Sequence, residues 1–217
     1  MATLVYLIRH AETDWNLEKR IQGQTNHSAV TKNGVKQAEA TRDFFEQNPV
    51  DLVFSSPMTR AIDTAKIIFP GKRIFTDHRF VERGFGEFEG KTWDEIEKIR
   101  PGLHAIYLND RSLSEVKDAE LVDDAQKRSI EALQEIISVG FGKKIAIIAH
   151  GATIKLILLK ILNKPFTYYK EIHQKNCAIT LVEFSGKNLA NSKILTENNI
   201  NHLKTGSHDV ESHEVVI

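Results

Sequence analysis

The sequence predicts an α/β fold: a three-layer sandwich with a mostly parallel central sheet, helices on both faces, and a small helical insertion over the carboxyl edge of the sheet. Short apolar segments typical of strands alternate with longer segments whose apolar residues recur at helical spacing, which is the order expected when helices connect parallel strands. One segment, 144–149, is an uninterrupted apolar run of the kind that is buried on both faces of a sheet.

The first half of the chain contains three predicted strands and two predicted helices. In order, they are strand 4–8, helix 33–47, strand 51–54, helix 59–68 and a weak strand 72–75. The first helix is expected to stop before Pro49, because a proline disfavours helical backbone in the residue before it. The second is expected to end at Pro70-Gly71, a pair that terminates helices.

The second half begins with segment 86–120, which interrupts the alternation and is predicted to be the helical insertion. The predicted elements that follow it are helix 121–139, strand 144–149, helix 152–162 opened by Gly151, and β segments 178–184 and 194–197. Packing within the insertion is the expected role of Trp93 and Tyr107. The polar tail 202–217, with three histidines, is predicted to be mobile. With no internal repeat, residues 1–217 are expected to form a single domain.

Composition excludes several classes of partner and site. The 217 residues carry 29 Lys and Arg against 29 Asp and Glu, so the zero net charge argues against nucleic acid or a membrane surface as a partner. Because Cys177 is the single cysteine, an intramolecular disulfide and a multi-cysteine metal site are excluded. With no signal-like or membrane-spanning segment, we expect a soluble cytoplasmic protein. Composition predicts no oligomeric state.

Polar residues with anion-binding chemistry follow four of the predicted strands. Arg9 and His10 follow the first predicted strand, and Ser55, Ser56 and Arg60 follow the second. Glu82 and Arg83 lie in the loop after the third, and His150 with Gly151 follows strand 144–149. Ligands of open α/β sheets bind at the carboxyl ends of the strands, where arginines and the start of a helix bind phosphate oxygens. A histidine can act as nucleophile or acid and a carboxyl group can protonate a leaving oxygen, so the set predicts an oxyanion site.

Each of these residues also has a structural interpretation. A single histidine or arginine after a strand is more often a structural residue or a salt-bridge partner. The Ser55-Ser56-Pro57 run equally fits a helix cap followed by a proline in the first turn. The convergence of four strand ends favours a functional site, but the residues alone do not decide whether His10 or His150 is the nucleophile.

Several longer motifs resemble those of the histidine phosphatase superfamily, the phosphoglycerate mutase-like group. The matching stretches are LIRHAETDWN at 7–16, RIQG at 20–23, SSPMTRAIDTA at 55–65, ERGFGEFEG at 82–90, AHGATI at 149–154 and NCAIT at 176–180. They cover residues 4 to about 184 in the family's order and spacing, which makes the resemblance strong.

The resemblance implies a role for each site residue. It implies that His10 attacks phosphorus and becomes a phosphohistidine, and that Glu82 protonates the leaving oxygen and then activates water. The implied phosphate-binding groups are Arg9, Arg60, His150, Asn16 and the backbone near Gly151, with a hydroxyl contact from Thr13 and with Gln22 and Gly23 lining the pocket. No metal is implied, because the cationic pocket neutralises the phosphate charge.

The sequence departs from the family pattern at three places, and the last two leave the substrate open. Ala11 replaces a common glycine, the loop 26–31 lacks the usual Asp-x-Pro-Leu-Thr pattern, and residues 118–120 read Asp-Ala-Glu where many members have Gly-Glu-Ser. The sequence favours a phosphatase acting on a small phosphorylated metabolite over a phosphoglycerate mutase, because residues 82–86 read Glu-Arg-Gly-Phe-Gly and not the Glu-Arg-His-Tyr-Gly run of mutases. A phosphoprotein phosphatase and a binding module without turnover are further alternatives.

Overall fold

The computed structural model describes residues 1–110, 113 and 115–204, and it contains one six-stranded sheet. The strands are β1 (Thr3–Arg9), β2 (Leu52–Ser55), β3 (Ile74–Thr76), β4 (Lys144–Ala149), β5 (Ile179–Phe184) and β6 (Ser192–Asn199). Their order across the sheet is β3-β2-β4-β1-β5-β6. The pairs β1–β4, β2–β4 and β2–β3 are parallel, whereas β5 is antiparallel to β1 and to β6, which confirms the mostly parallel sheet.

Helices cover both faces of this sheet. They are α1 (Asp14–Leu17), α2 (Lys32–Gln47), α3 (Thr59–Ile68), α4 (Trp93–Ile99), α5 (Leu103–Asp110), α6 (Val122–Val139) and α7 (Gly151–Ile161). Side chains alternate across a strand, so Val5 and Leu7 of β1 pack with α6 and α7, while Tyr6 and Ile8 pack with α2 and α3. The three-layer prediction is therefore confirmed.

The insertion has its own apolar cluster beyond the carboxyl ends of the strands. A 3₁₀ turn (Gly86–Phe88) precedes α4 and α5, and Tyr107 of α5 is only 1% exposed. The cluster includes Ile21 from the loop after β1 and Phe85 from the loop after β3. Trp93 and Tyr107 therefore pack within this cluster, with their ring centroids 4.9 Å apart.

The structure corrects the predicted start of the mobile tail. Residues Asn201–Lys204 form a 3₁₀ turn in which Leu203 is fully buried against the α2 side of the core. This turn is held in place by the buried side chain of Leu203 and by the hydrogen bond from His202 to the carbonyl of Cys177. Residues 205–217 of the predicted tail lie outside the described residues. Among the helices of the described part, none is long and apolar enough to cross a membrane.

Candidate active site

Arg9 and His10 stand at the carboxyl end of β1, where residues of the distant loop before β5 fix both of them. Arg9 donates from Nη1 to the carbonyl of Gln174 at 2.6 Å, and its own carbonyl accepts from the Cys177 amide at 3.1 Å. The carbonyl of His10 accepts from Asn176 Nδ2 at 3.0 Å. The amide of His10 donates to the carbonyl of Ala149 at 3.0 Å, which extends the hydrogen bonding between β1 and β4 by one residue. Both side chains are buried.

The hydrogen bond of the His10 ring fixes its tautomer. Nδ1 lies 2.8 Å from the carbonyl oxygen of Ala11, which can only accept, so Nδ1 carries the hydrogen and Nε2 keeps its lone pair. Burial, together with the guanidinium groups of Arg60 and Arg9, lowers the pKa of His10 well below 6.5. The ring is therefore neutral near pH 7, with a nucleophilic nitrogen at Nε2.

Arg60 and His150 form a second buried pair beside His10. Arg60, in the first turn of α3, donates from Nε to His150 Nδ1 at 3.2 Å and from its two Nη groups to the carbonyls of Thr25 and Gly23 at 2.8 and 2.7 Å. Burial lowers the pKa of Arg60 to about 10, so it remains charged. The His10 and His150 ring centroids lie 5.3 Å apart, which places two arginines and two histidines in one site.

His150 is held neutral with a defined tautomer. Because Nδ1 accepts from Arg60, the ring hydrogen is on Nε2, which donates to Ser56 Oγ at 2.8 Å. Burial and the charge of Arg60 lower the pKa of His150 well below 6.5. The cap interpretation of Ser55-Ser56-Pro57 is wrong, because α3 begins after Met58 without a side-chain cap and the Ser56 hydroxyl contacts His150.

Asn16 presents a buried amide nitrogen to the site. Its Oδ1 accepts from the amide and the hydroxyl of Thr13, each at 3.1 Å, and from Asn176 Nδ2 at 3.1 Å. Among the described residues Nδ2 has no hydrogen-bond partner, and Asn16 is 2% exposed. A buried donor without an acceptor costs about 1–3 kcal/mol, so Nδ2 is suited to an anionic ligand. The Thr13 hydroxyl is engaged with Asn16, and a direct phosphate contact from it stays a prediction.

The carboxylate of Glu82 lies on the N-terminus of α7. Oε1 accepts from the Thr153 amide at 3.0 Å, from the Thr153 hydroxyl at 3.1 Å and from the Arg83 amide at 2.9 Å, whereas Oε2 accepts only from the Ala152 amide at 3.2 Å. Glu82 is 4% exposed. The single hydrogen of the Thr153 hydroxyl is shared with the Val81 carbonyl, which lies closer at 2.9 Å. Because Oε1 still accepts from two amides and Oε2 from one, Oε2 is the oxygen with more room to hold a proton.

Gly151 supplies the remaining amide at the start of α7. The next two amides of this helix are taken by Glu82, so the Gly151 amide is the one left for a ligand. A side chain at Gly151 would lie 3.6 Å from the guanidinium carbon of Arg9. That distance is an ordinary van der Waals contact, so the start of α7 lies directly against the Arg9 side chain.

Gln22 and Gly23 shape the wall on the α3 side. Gln22 is buried and accepts from the Ser28 hydroxyl at 2.7 Å. Gly23 has a φ of +50°, a conformation that favours glycine, and any Cβ there would overlap the carboxylate of Glu89. The Glu89 carboxylate in turn accepts from the amides of Gln24 and Phe85, both at 2.9 Å, so it joins the loops that follow β1 and β3.

The sequence analysis named Ser56 as a strand-end residue but missed three others that hold the site from behind: Asn176, Glu120 and Arg128. Asn176 lies inside a recognised motif, and that position was the available signal. Arg128 lies within the amphipathic pattern of α6, where a charged residue is expected on the solvent face, and no local signal distinguishes it. In the described part of the chain, no group of three or more His, Cys, Asp and Glu side chains could hold a metal ion.

Comparisons with known proteins agree with this geometry. A family model described as the histidine phosphatase superfamily (branch 1) matches residues 5–195. A curated relative, the probable phosphoglycerate mutase GpmB of Yersinia pestis (strain Pestoides F), is 28% identical over 182 residues, covering 83% of this chain and 84% of that protein.

Two solved structures are similar at the same level of identity. Bacillus stearothermophilus YhfR has a TM-score of 0.86 at 28% identity, covering 93% of this chain and 99% of that chain. Phosphoserine phosphatase from Entamoeba histolytica, solved in complex with 3-phosphoglyceric acid, has a TM-score of 0.81 at 28% identity with the same coverage. A mycobacterial glucosyl-3-phosphoglycerate phosphatase, at 22% identity and a TM-score of 0.80 over 91% of this chain and 99% of that one, shares the fold.

Proposed function

The chain belongs to the histidine phosphatase superfamily (branch 1), and from this premise we propose that it is a metal-independent phosphatase that hydrolyses phosphate monoesters of small metabolites. One observation carries the proposal: the neutral His10 ring keeps a lone pair on Nε2 while two arginine side chains, Arg9 and Arg60, lie in the same buried site. A pure binding pocket needs the arginines, but it needs neither this nucleophile nor the carboxylate of Glu82.

In the first step, Nε2 of His10 attacks phosphorus and forms the nitrogen–phosphorus bond of a phosphohistidine. The bond from phosphorus to the ester oxygen breaks, and its electron pair leaves with that oxygen, which takes the proton from Oε2 of Glu82. Arg9, Arg60, the Asn16 amide and the Gly151 amide bind the phosphoryl oxygens as charge spreads over them. His150 accepts from Arg60 and donates to Ser56, so it orients the Arg60 guanidinium, and a direct phosphate contact from its ring stays a prediction. Preorganised donors of this kind stabilise the transition state without reorganising during the reaction.

In the second step, the Glu82 carboxylate accepts a proton from a water molecule as the water oxygen attacks phosphorus. The nitrogen–phosphorus bond breaks, inorganic phosphate leaves, and His10 returns to its neutral form with Glu82 again protonated. The same carboxyl group thus acts first as acid and then as base. No step requires a metal or another cofactor, because the fixed positive charges neutralise the phosphoryl oxygens.

A phosphoglycerate mutase is the second candidate, and the curated relative named as a probable phosphoglycerate mutase favours it. Such an enzyme uses the same phosphohistidine but transfers the phosphoryl group to a bound acceptor instead of water. The structural relatives named as a phosphoserine phosphatase and a glucosyl-3-phosphoglycerate phosphatase support hydrolysis. We favour the phosphatase. A cytoplasmic location is also part of the proposal, because a chain with a single cysteine suits a reducing compartment.

Phosphate release from a panel of phosphorylated metabolites and one aryl phosphate, measured in EDTA, tests the proposal. The wild-type protein should turn over at least one ester, His10→Ala should release no phosphate, and His78→Ala should behave as wild type because this histidine is exposed on the surface. Conversion of 3-phosphoglycerate to 2-phosphoglycerate faster than phosphate release would favour the mutase. A wild-type protein that is inactive in both assays would favour the remaining alternative, a binding module without turnover.

A further inference from the structure

Arg128, in the middle of α6, divides the N–H donors of its guanidinium group between the backbone carbonyls of segment 79–82, which carries Glu82, and the carboxylate of Glu120. Nη1 donates to the carbonyls of Arg79 and Val81 at 2.7 and 2.8 Å. Nη2 donates to the carbonyl of Glu82 at 3.1 Å and to Glu120 Oε2 at 2.8 Å, and Nε donates to Glu120 Oε1 at 2.6 Å. An arginine has five N–H donors, so all of them are occupied.

Glu120 joins Arg128 to the other side of the Glu82 segment. Besides its bidentate pair with Arg128, its Oε2 accepts from the Gly84 amide at 3.0 Å and from Gln24 Nε2 at 3.3 Å. Burial opposes the ionisation of Glu120, but the hydrogen bonds from Arg128 and from the Gly84 amide outweigh it and lower the pKa of this carboxyl group. The ion pair is largely shielded from water, with side chains 18% and 19% exposed.

The two ends of Glu82 are therefore held by different elements. Its backbone carbonyl accepts from Arg128 of α6 and from Gln24 Nε2 at 3.0 Å, whereas its carboxylate lies on the α7 amides. The position of the carboxylate depends on how far the backbone of 79–82 stands from α7. Two groups fix that backbone at the Val81 carbonyl: Arg128 Nη1 of α6 at 2.8 Å and the Thr153 hydroxyl of α7 at 2.9 Å. Arg128 is the one that also binds the carbonyls of Arg79 and Glu82. A misplacement of about 1 Å in a catalytic group can cost on the order of 10²-fold in rate.

We propose that Arg128 is a positioning residue for Glu82, which holds the acid in place for protonation of the leaving oxygen without contacting substrate itself. This inference rests on the proposed phosphatase function. Lysine cannot replace the arginine, because an ammonium group has three donors around one point and cannot bind three carbonyls and a carboxylate in a plane. The consequence is selective: losing the arginine should impair steps that need an acid and spare those that do not.

The test compares two esters hydrolysed by the wild type and by Arg128→Lys. 4-Nitrophenyl phosphate has a leaving group that needs little protonation, whereas glycerol 2-phosphate releases an alkoxide that needs a proton. For glycerol 2-phosphate, kcat/KM should fall about tenfold or more. This loss is part of the rate enhancement of about 10²–10⁴-fold that a positioned acid contributes. For the aryl ester, the fall should stay below about threefold, since attack by His10 is untouched.

Arg79→Lys is the matched control. Arg79 lies on the same segment and pairs with Asp77 and with Glu135 of α6 through its side chain, which is 37% exposed, so its loss perturbs the segment's surface without removing the contacts of Arg128. The ratio of alkyl to aryl activity should remain that of wild type in this variant. Glu120→Gln, which keeps Arg128 but removes its charged partner, should lower the ratio in the same direction by a smaller factor.

Equal losses on both esters in Arg128→Lys, or no loss on either, would overturn the positioning role while leaving the phosphatase proposal intact. If Arg128→Lys does not fold, the ratio measured for Glu120→Gln decides: an unchanged ratio overturns the role, and a selective loss on the alkyl ester supports it. No release of phosphate from either ester by the wild-type protein would overturn the proposed function together with this inference.

Discussion

His202 should make the folded protein less stable as the pH falls, and the size of the effect follows from its burial. The ring is packed 5.7 Å from the ring of Phe44, and Nε2 donates to the carbonyl of Cys177 at 3.1 Å. Burial lowers the pKa of His202 from 6.5 to about 4. Between these two values the unfolded chain binds the proton and the folded protein does not, so the free energy of unfolding falls as the pH falls below 6.5.

The linkage relation gives the magnitude. The pKa of His202 is 6.5 in the unfolded chain and about 4 in the folded protein. Relative to neutral pH, this difference lowers the free energy of unfolding by about 0.8 kcal/mol at pH 6 and by about 2 kcal/mol at pH 5. The substitution His202→Gln removes the titration but keeps an amide that can donate to the Cys177 carbonyl. Stability of this variant should therefore fall less steeply with pH than that of wild type.

Urea unfolding of both proteins at pH 7.5, 6 and 5 measures the difference directly. His10 and His150 also have lowered pKa values, but they are present in both proteins and cancel when wild type is subtracted from variant. The control is His78→Gln at an exposed histidine, which makes the same replacement at the surface without removing a buried ring. A His202→Gln difference that stays constant within about 0.5 kcal/mol from pH 7.5 to 5 would refute burial as the cause.

Three further outcomes are expected at the site. Asn16→Asp puts a carboxylate oxygen where the unpartnered Nδ2 stands, so kcat/KM should fall about 10²–10³-fold; wild-type kinetics would contradict the phosphate contact. Gly23→Ala forces a Cβ into the Glu89 carboxylate at a φ of +50°, which should cost at least about 1–2 kcal/mol, and an unchanged Tm would count against the crowding. Because the pKa of His10 lies well below 6.5, kcat/KM corrected for substrate ionisation should stay level as pH falls through 6.5; a midpoint there would be inconsistent with a buried nucleophile.

Hydrophobic pattern predicted most of the fold because most of its elements are long enough to show a period. The run Lys144–Ala149 became β4 with the predicted bounds, and Thr59–Ile68 became α3. The four-residue helix Asp14–Leu17 was missed, since one turn shows no periodicity, although its capping box of Thr13 and Asn16 is a local signal that was available.

The sequence predicted which strand ends form the site, but not how the side chains are oriented there. Its motifs located Arg9, His10 and Glu82, and the structure brings the strand-end residues together, while their catalytic roles stay predictions. The orientation of the Asn16 amide depends on Asn176, which lies 160 positions along the chain. The contacts of Arg128 depend on the approach of α6 to a loop 46 to 49 residues earlier. Local patterns contain no information on contacts at such separations.

These separations also determine when the pocket can form during synthesis. Arg9 is fixed by Gln174, 165 positions later, and His10 by Asn176, 166 positions later. A nascent chain therefore carries His10 long before the residues that orient it have been translated, and contacts between such distant residues form slowly. Since β5 enters the sheet antiparallel beside β1, we expect the site to be completed only when this strand docks. An incomplete chain on the ribosome would then lack the assembled site, whatever helices it had already formed.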